Sequence, residues 1–189
     1  MDRRIKKNQE AIMNALIGLM AEKDFEKITI NEIAERADVN RGTIYSHYAD
    51  KYDLLDKCLQ THMEQLVQSC SPADETGLYP ARDTLLRTFQ LMEQNALFYT
   101  TLLTNKGVPS FRNHLQALMI RGIHEQIDQS HMDLGELQKD ILAQFLSSAT
   151  VGVIEWWFVQ KMPCSAKDMT DQLWKLLELH QMLPQGKLN

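Results

Sequence analysis

Apolar residues recur at steps of three and four along most of the chain, the spacing that places them on one face of an α-helix. Ile12, Leu16 and Met20 mark such a face in a first predicted helix over residues 3–23. Alternating runs rich in β-branched residues, which are typical of strands, are missing from the sequence. The pattern therefore predicts an all-α protein.

The same periodicity, with the positions of proline, glycine and capping residues, divides the 189 residues into consecutive helices. The clearest break is the loop at residues 71–80, which has the Pro, Gly and Asp chemistry of turns. The predicted helices cover residues 3–23, 30–37, 41–47, 51–69, 81–94, 96–104, 109–129, 135–161 and 166–182.

Several predicted helix starts carry side chains suited to capping. Thr29 and Glu32 have the spacing of a capping box, in which each side chain accepts a hydrogen bond from the backbone amide of the other residue. Asn40 and Asp50 precede the third and fourth helices and can accept from the amides of the first turn. The Ser-x-x-Asp at residues 165–168 predicts the start of the last helix.

The second and third predicted helices are short, and a tight turn of three residues joins them. The third is too short to persist alone in water, so Ile44 and Tyr48 are expected to hold it from behind. Two short helices joined in this way form a helix-turn-helix, whose second helix enters the major groove of DNA. The outward face of the third helix would present Arg41, Thr43, Ser46 and His47.

Charge adds no general attraction to DNA. The formal net charge is -5, and residues 1–57 contain 10 Lys and Arg against 11 Asp and Glu. DNA binding therefore needs a local basic face and well-placed contacts, because bulk charge does not provide it.

Other classes of protein lack support in the sequence. Cys58, Cys70 and Cys164 form no CxxC pair or zinc spacing, and we expect no metal or other cofactor. No cleavable signal pattern or run of about 18 apolar residues is evident, which predicts a cytoplasmic protein without a membrane segment. No catalytic triad order, glycine-rich phosphate loop or HExxH is present, so we do not expect an enzyme.

One stretch resembles a known family. From Thr29 to Leu55 the sequence is similar to the DNA-binding domain of TetR/AcrR-family transcriptional regulators. The similarity covers roughly residues 8–57, and the matching positions are Thr29, Ile33, Ala34, Ala37, Val39, Gly42, Thr43, Ile44, Tyr45, His47, Tyr48, Lys51, Leu54 and Leu55.

The resemblance implies an N-terminal three-helix DNA-binding domain at residues 1–50 and a larger helical effector-binding and dimerisation domain at residues 51–189. Arg41 and Gly42 would meet the bases, Gly42 because a residue without a side chain permits close approach. Ser46 replaces the larger aromatic of many family members. Thr29 and Lys51 are expected on phosphates, and Thr43, Tyr45 and His47 on phosphates or edge bases. The full set of implied DNA contacts is Thr29, Arg41, Gly42, Thr43, Tyr45, Ser46, His47 and Lys51.

The segment from Phe145 to Met169 is also similar to the C-terminal domains of a DhaS-like subgroup, which includes an activator. The apolar stripes of the last two helices predict a homodimer interface, although intramolecular core is the alternative for each stripe. The interface candidates are Phe145, Ala149, Gly152, Leu173, Leu176, Leu177 and His180.

Aromatic and Met residues between the two ends could line a site for a small apolar effector, although such stripes are more often core. The effector candidates are Phe89, Met92, Phe98, Tyr99, Leu102, Phe111, Leu115, Met119 and Trp156. The sequence thus favours a dimeric regulator on a palindromic double-stranded operator, most simply a repressor controlled by an effector. The alternative is an adaptor or activator controlled by a protein partner.

Overall fold

The computed structural model describes residues 3–70, 82–104, 109–130 and 135–179. These residues form helices and connecting turns and contain no strand, so the all-α prediction is confirmed. A 3-10 turn at Phe25–Lys27 precedes the second helix. The α-helices are α1 (Arg3–Glu22), α2 (Ile30–Arg36), α3 (Arg41–Tyr45), α4 (Lys51–Cys70), α5 (Arg82–Gln94), α6 (Ala96–Thr104), α7 (Pro109–Ser130), α8 (Lys139–Val159) and α9 (Ala166–Leu179).

The start of α8 is the main error in the predicted boundaries. The helix begins at Lys139 and not at residue 135, because Gly135 has φ +57, outside the right-handed helical region. The helix ends at Val159, before Lys161 and Met162, both of which have positive φ. The predicted loop at residues 71–80 and the predicted end of the last helix, residues 180–182, lie outside the described residues.

The chain divides into two compact units. The first comprises Met1–Gln65 and Leu97–Phe111, and the second comprises Leu66–Ala96 and Arg112–Asn189. The boundary predicted after residue 50 does not coincide with this division, because the first unit extends to Gln65 and includes most of α4. Leu54, in the N-terminal half of α4, is fully buried in the first unit.

The first unit has a core of aliphatic side chains. Ile12 and Leu16 of α1, Ile33 of α2, Ile44 of α3 and Leu54 of α4 are fully buried. Each short helix thereby contributes its apolar face to a shared core, which supplies the stability that α2 and α3 lack in isolation.

The second unit is organised around the packing of α5 on α9 and a buried indole. Trp157 of α8 is fully buried, and its Nε1 donates to the Cys164 carbonyl oxygen at 2.9 Å. Phe89 of α5 meets the Trp157 ring edge-on with centroids 5.5 Å apart. The predicted start of α9 is confirmed, because the Asp168 amide donates to Ser165 Oγ at 3.1 Å.

The composition of α8 differs from expectation. Within the described part of the chain, this is the one helix long and apolar enough to cross a membrane by length and composition, with a mean hydropathy of 1.3. By mean hydropathy α8 departs from the expectation, but Ser147, Ser148 and Glu155 interrupt it, so it is not the unbroken run of about 18 apolar residues that the expectation concerned. A third of that window is buried within the chain.

Candidate nucleic-acid interface

The start of α2 is fixed by the predicted capping box. The Thr29 amide donates to the Glu32 carboxylate at 3.0 Å, and Thr29 Oγ1 accepts from the Glu32 amide at 3.3 Å. Lys23 binds the same carboxylate, and this contact, followed by those of Thr29, lowers the pKa of Glu32 to about 2.

These hydrogen bonds bear on the phosphate contact predicted for Thr29, which stays a prediction. The Thr29 hydroxyl also donates to the Glu32 carboxylate at 3.0 Å, so both the amide and the hydroxyl are already engaged. The predicted phosphate contact would require the same two donors. In this structure Thr29 is the N-cap of α2, and its donors serve the Glu32 carboxylate.

The turn between α2 and α3 follows from local hydrogen bonds. Asp38 adopts φ 52, and the Val39 amide donates to the Ala34 carbonyl at 3.0 Å. Asn40 then caps α3 as predicted, since its Oδ1 accepts from the Gly42 amide at 3.1 Å. These contacts fix the direction in which α3 leaves the turn.

The third helix is held from one side and exposed on the other. Ile44 and Tyr48 are 0% and 2% exposed, which confirms that they support the helix from behind. The exposed face of α3 consists of Arg41, Gly42, Tyr45 and Ser46. This face is the part of the first unit that a DNA groove could receive.

Arg41 and Tyr45 lie together on this face. The Arg41 guanidinium carbon is 5.8 Å from the centroid of the Tyr45 ring, and Arg41 Nη2 donates to the Tyr45 hydroxyl at 3.5 Å. Tyr45 is 50% exposed. A cation stacked on an exposed ring is restrained before a partner arrives.

Gly42 is not required by the fold. A Cβ atom at this position would meet only the Asn40 Oδ1 atom at 3.8 Å, an ordinary van der Waals contact. The glycine therefore leaves the exposed face of α3 open without serving the packing of the chain.

The remaining predicted contacts on α3 are less available. The Ser46 hydroxyl donates to the Thr43 carbonyl at 2.7 Å and is satisfied within the helix. Thr43 and His47 are half-buried, and the His47 carbonyl accepts from Lys57 Nζ at 3.0 Å.

Lys51 is placed differently from the prediction. Its ammonium donates to the carbonyl oxygens of Phe25, Glu26 and Ile28, at 3.0, 2.9 and 3.1 Å. The ammonium thus has three acceptors inside the chain, and the phosphate contact expected for Lys51 stays a prediction.

An aromatic cluster in the first unit contains four of the effector candidates and a residue that sequence reasoning missed. Phe98, Tyr99, Leu102 and Phe111 are buried, and the Phe98 ring lies edge-on to those of Tyr99 and Phe111. His62 of α4 stacks on Phe98 with ring centroids 3.6 Å apart. The sequence did carry a signal for His62. It lies three positions after Leu59 and four before Leu66, the spacing that places all three on one face of α4.

His62 has an unusual environment. Among the described residues its buried Nδ1 atom has no hydrogen-bond partner, and burial lowers the pKa of the imidazole to about 4. The unfolded chain binds a proton near the ordinary value of 6.5, so protonation favours unfolding as the pH falls from 6.5 toward 4. This loss of stability is absent above pH 6.5, where His62 is neutral in both the folded and the unfolded chain.

The other effector candidates belong to the second unit and differ in exposure. Phe89, Met92 and Leu115 are buried and Met119 is half-buried, whereas Trp156 is 51% exposed. Trp156 is therefore not part of a buried lining. Its neighbour Trp157 is the buried indole, which the sequence alone did not distinguish.

The second face of α8 is an exposed apolar stripe, defined by Ile141, Phe145, Trp156 and Val159. Their exposed fractions are 56, 56, 51 and 53%. Small residues, among them the interface candidates Ala149 and Gly152, lie along the helix between Phe145 and Trp156. The opposite face of α8 is buried, so this helix has two apolar faces.

The interface candidates on α9 have separate outcomes. Leu176 is 47% exposed, but Leu173 is 6% exposed and belongs to the core of the second unit. Burial within one chain leaves Leu173 little surface for a partner, and its place in an interface stays a prediction. The side chain of Leu177 and all of His180 lie outside the described residues.

Comparison with known proteins gives consistent results. The curated relatives include the HTH-type transcriptional regulator YxbF of Bacillus subtilis (strain 168), 24% identical over 170 residues and covering 88% of this chain and 43% of YxbF. The chain thus spans less than half the length of YxbF. DhaS, the dhaKLM operon activator of Lactococcus lactis subsp. lactis (strain IL1403), is 20% identical over 147 residues, covering 77% of this chain and 76% of DhaS.

The fold and the family models agree with these relatives. The crystal structure of a TetR transcriptional regulator from Streptococcus agalactiae 2603V has a TM-score of 0.67 and 26% identity, covering 93% of this chain and 96% of that one. The model "Bacterial regulatory proteins, tetR family" matches residues 12–58, and "Transcriptional regulator C-terminal region" matches residues 81–179. The chain therefore belongs to the TetR family of bacterial regulatory proteins.

Proposed function

We propose that the chain is a dimeric, sequence-specific transcriptional regulator that binds a palindromic operator through the exposed face of α3. The observation that carries the proposal is this face itself, with Arg41, Gly42 and Tyr45 exposed and Ile44 fully buried behind them. The proposal includes no catalytic step and places the protein in the cytoplasm, where it meets DNA.

On this proposal, the preference for one DNA sequence comes more from the placement of side chains on α3 than from net charge. Residues 1–57 are close to neutral, so nonspecific attraction to phosphates is weak. An arginine can donate a bidentate pair to guanine O6 and N7, worth about 1–3 kcal/mol of discrimination. Arg41, restrained on the Tyr45 ring, is the side chain to which we assign that contact.

Dimerisation is supported by the exposed apolar stripe of α8. Four large apolar side chains that are each about half exposed form a patch that monomeric proteins usually cover. A second copy of the same stripe offers a matching apolar surface, as a two-fold interface requires. A dimer also presents two α3 helices to the two halves of a palindrome.

Control by a small apolar effector is supported by the aromatic cluster around His62. Leaving a buried polar atom without a partner costs about 1–3 kcal/mol. A ligand with one polar group could regain that energy at His62 Nδ1 while its apolar part packs on Phe98. The proposed outcome is a change in DNA affinity, through preferential binding to one state of the protein.

Repression is the simplest regulatory effect for a protein that occupies an operator. A second candidate is activation, with control by a protein partner in place of an effector. The observation that favours it is the similarity to DhaS, which is named an operon activator. Transcription from a promoter containing the selected operator would separate the two signs.

The test of the proposal is selection of duplexes from a random-sequence pool, followed by sedimentation of the complexes. Phe145→Glu is expected to yield monomers and to lose at least tenfold in affinity for a palindromic duplex. Leu97→Glu is the matched control, because Leu97 is equally exposed, at 56%, but lies on α6. Failure to enrich any sequence, or a Phe145→Glu variant that stays dimeric, would contradict the proposal.

A further inference from the structure

Lys51 is the first residue of α4, where a positive charge is unfavourable because the N-terminal end of a helix is itself positive. The favourable charges at this end come from Asp50 and Asp53. Asp50 Oδ1 accepts from the Tyr52 and Asp53 amides at 2.8 and 2.9 Å, and Asp53 accepts from the Ala49 amide. The presence of a lysine at this position therefore needs another explanation than the stability of α4.

The ammonium of Lys51 is directed at the segment that leads into α2. The three carbonyl oxygens of Phe25, Glu26 and Ile28 lie 2.9–3.1 Å from Nζ. An ammonium has three N–H donors, so this set can satisfy all of them. The side chain is only 15% exposed, although the residue lies at the surface end of a helix.

Aromatic contacts reinforce the same connection. Lys51 Nζ lies 4.8 Å from the centroid of the Phe25 ring and 5.4 Å from that of Tyr52. The two rings meet edge-on at 5.3 Å, and the Tyr52 hydroxyl donates to Glu26 Oε2 at 2.8 Å. Two consecutive residues of α4 thus bind one short segment.

That segment leads directly into α2. The turn at Phe25–Lys27 is followed by Ile28 and then by Thr29, the N-cap of α2. Within this turn the Phe25 carbonyl already accepts from the Ile28 amide at 3.0 Å, and Lys51 adds a second donor to it as well as donors to the Glu26 and Ile28 carbonyls. Any displacement of the first turn of α4 would therefore pull on the chain just before α2.

We propose that Lys51 is a positioning residue that ties the start of α2 to the start of α4 and so sets the orientation of α3 for DNA. A DNA phosphate could recruit this ammonium only by displacing carbonyl contacts. The proposal rests on the proposed DNA-binding function and concerns how this chain achieves it.

The first test is thermal unfolding of the full chain with Lys51→Met and Lys51→Arg. Both are expected to lower Tm by roughly 5–10 °C, since the planar guanidinium does not match three converging carbonyls. Lys27→Met is the matched control, because Lys27 lies in the same turn with a side chain 73% exposed, and its Tm is expected to match the parent. A Lys51→Arg variant that unfolds like the parent would overturn the proposal.

The second test measures DNA affinity at a temperature at which every variant is folded. The probes are a duplex selected by the parent from a random-sequence pool and poly(dI·dC), each over a range of salt concentrations. For Lys51→Met we expect about tenfold weaker binding to the selected duplex, unchanged binding to poly(dI·dC) and an unchanged salt slope.

The other outcomes are distinct. A salt slope reduced by about one unit would mean that Lys51 neutralises a phosphate, and would overturn the proposal. Unchanged affinity for both probes would overturn it as well, by leaving Lys51 a role in stability alone. If the parent selects no duplex, the proposed function fails, while the unfolding comparison still decides whether the Lys51 contacts are present.

Discussion

Substituting Gly42 by alanine separates the needs of folding from those of DNA binding. A methyl group at this position would contact only Asn40 Oδ1, at 3.8 Å, so the chain has room for it. Alanine is favoured over glycine inside a helix by about 1 kcal/mol, and by less in a first turn such as this one. We therefore expect the unfolding free energy to rise by up to about 1 kcal/mol, with Tm higher by about 2–4 °C.

DNA affinity is expected to change in the opposite direction. If α3 approaches the bases closely at Gly42, an added methyl group holds Arg41 away from the groove. Loss of one bidentate arginine contact costs about 1–3 kcal/mol, which corresponds to about 5- to 150-fold in affinity.

The assay is fluorescence anisotropy with a selected duplex at fixed salt, beside thermal unfolding of the same preparation. Gly122→Ala in α7 is the control, because a Cβ there meets nothing within 4 Å and the position is remote in sequence from the helix-turn-helix. Parent-like affinity of Gly42→Ala would refute the close approach, and a lower Tm would refute the packing argument.

Two further predictions concern the first unit. Between pH 7 and pH 5 the parent is expected to lose about 1–2 kcal/mol more unfolding free energy than His62→Phe, allowing for partial exposure of the imidazole. Denaturant titrations at both pH values measure this, with His114→Gln as a parent-like control, and equal losses in parent and His62→Phe would contradict it. Thr29→Ala is expected to cost about 1 kcal/mol of stability through loss of the cap. Because its donors serve Glu32, DNA affinity at fixed salt is expected to stay unchanged at a temperature at which the variant is folded, and a several-fold loss of affinity would support the phosphate role.

Helix boundaries were predicted accurately where interactions between residues close in sequence set them. The Thr29–Glu32 capping box and the Asn40 cap were predicted correctly, since each depends on residues two or three positions apart. The start of α8 was misplaced by four residues, because the apolar pattern continues through Gly135 although its backbone is not helical. Periodicity records which side chains are apolar and does not record backbone conformation.

Side-chain roles were harder to predict where they depended on distant partners. The sequence alone determined the all-α class, the two short helices and the family resemblance, because helix periodicity, capping and the helix-turn-helix spacing are local properties. Only the tertiary structure decided that Lys51 binds carbonyls 23 to 26 residues away, that Trp157 is buried while Trp156 is exposed, and that His62 stacks on Phe98. Those outcomes depend on which surfaces pack against each other after the chain folds. The spacing of residues along the sequence does not determine those long-range contacts.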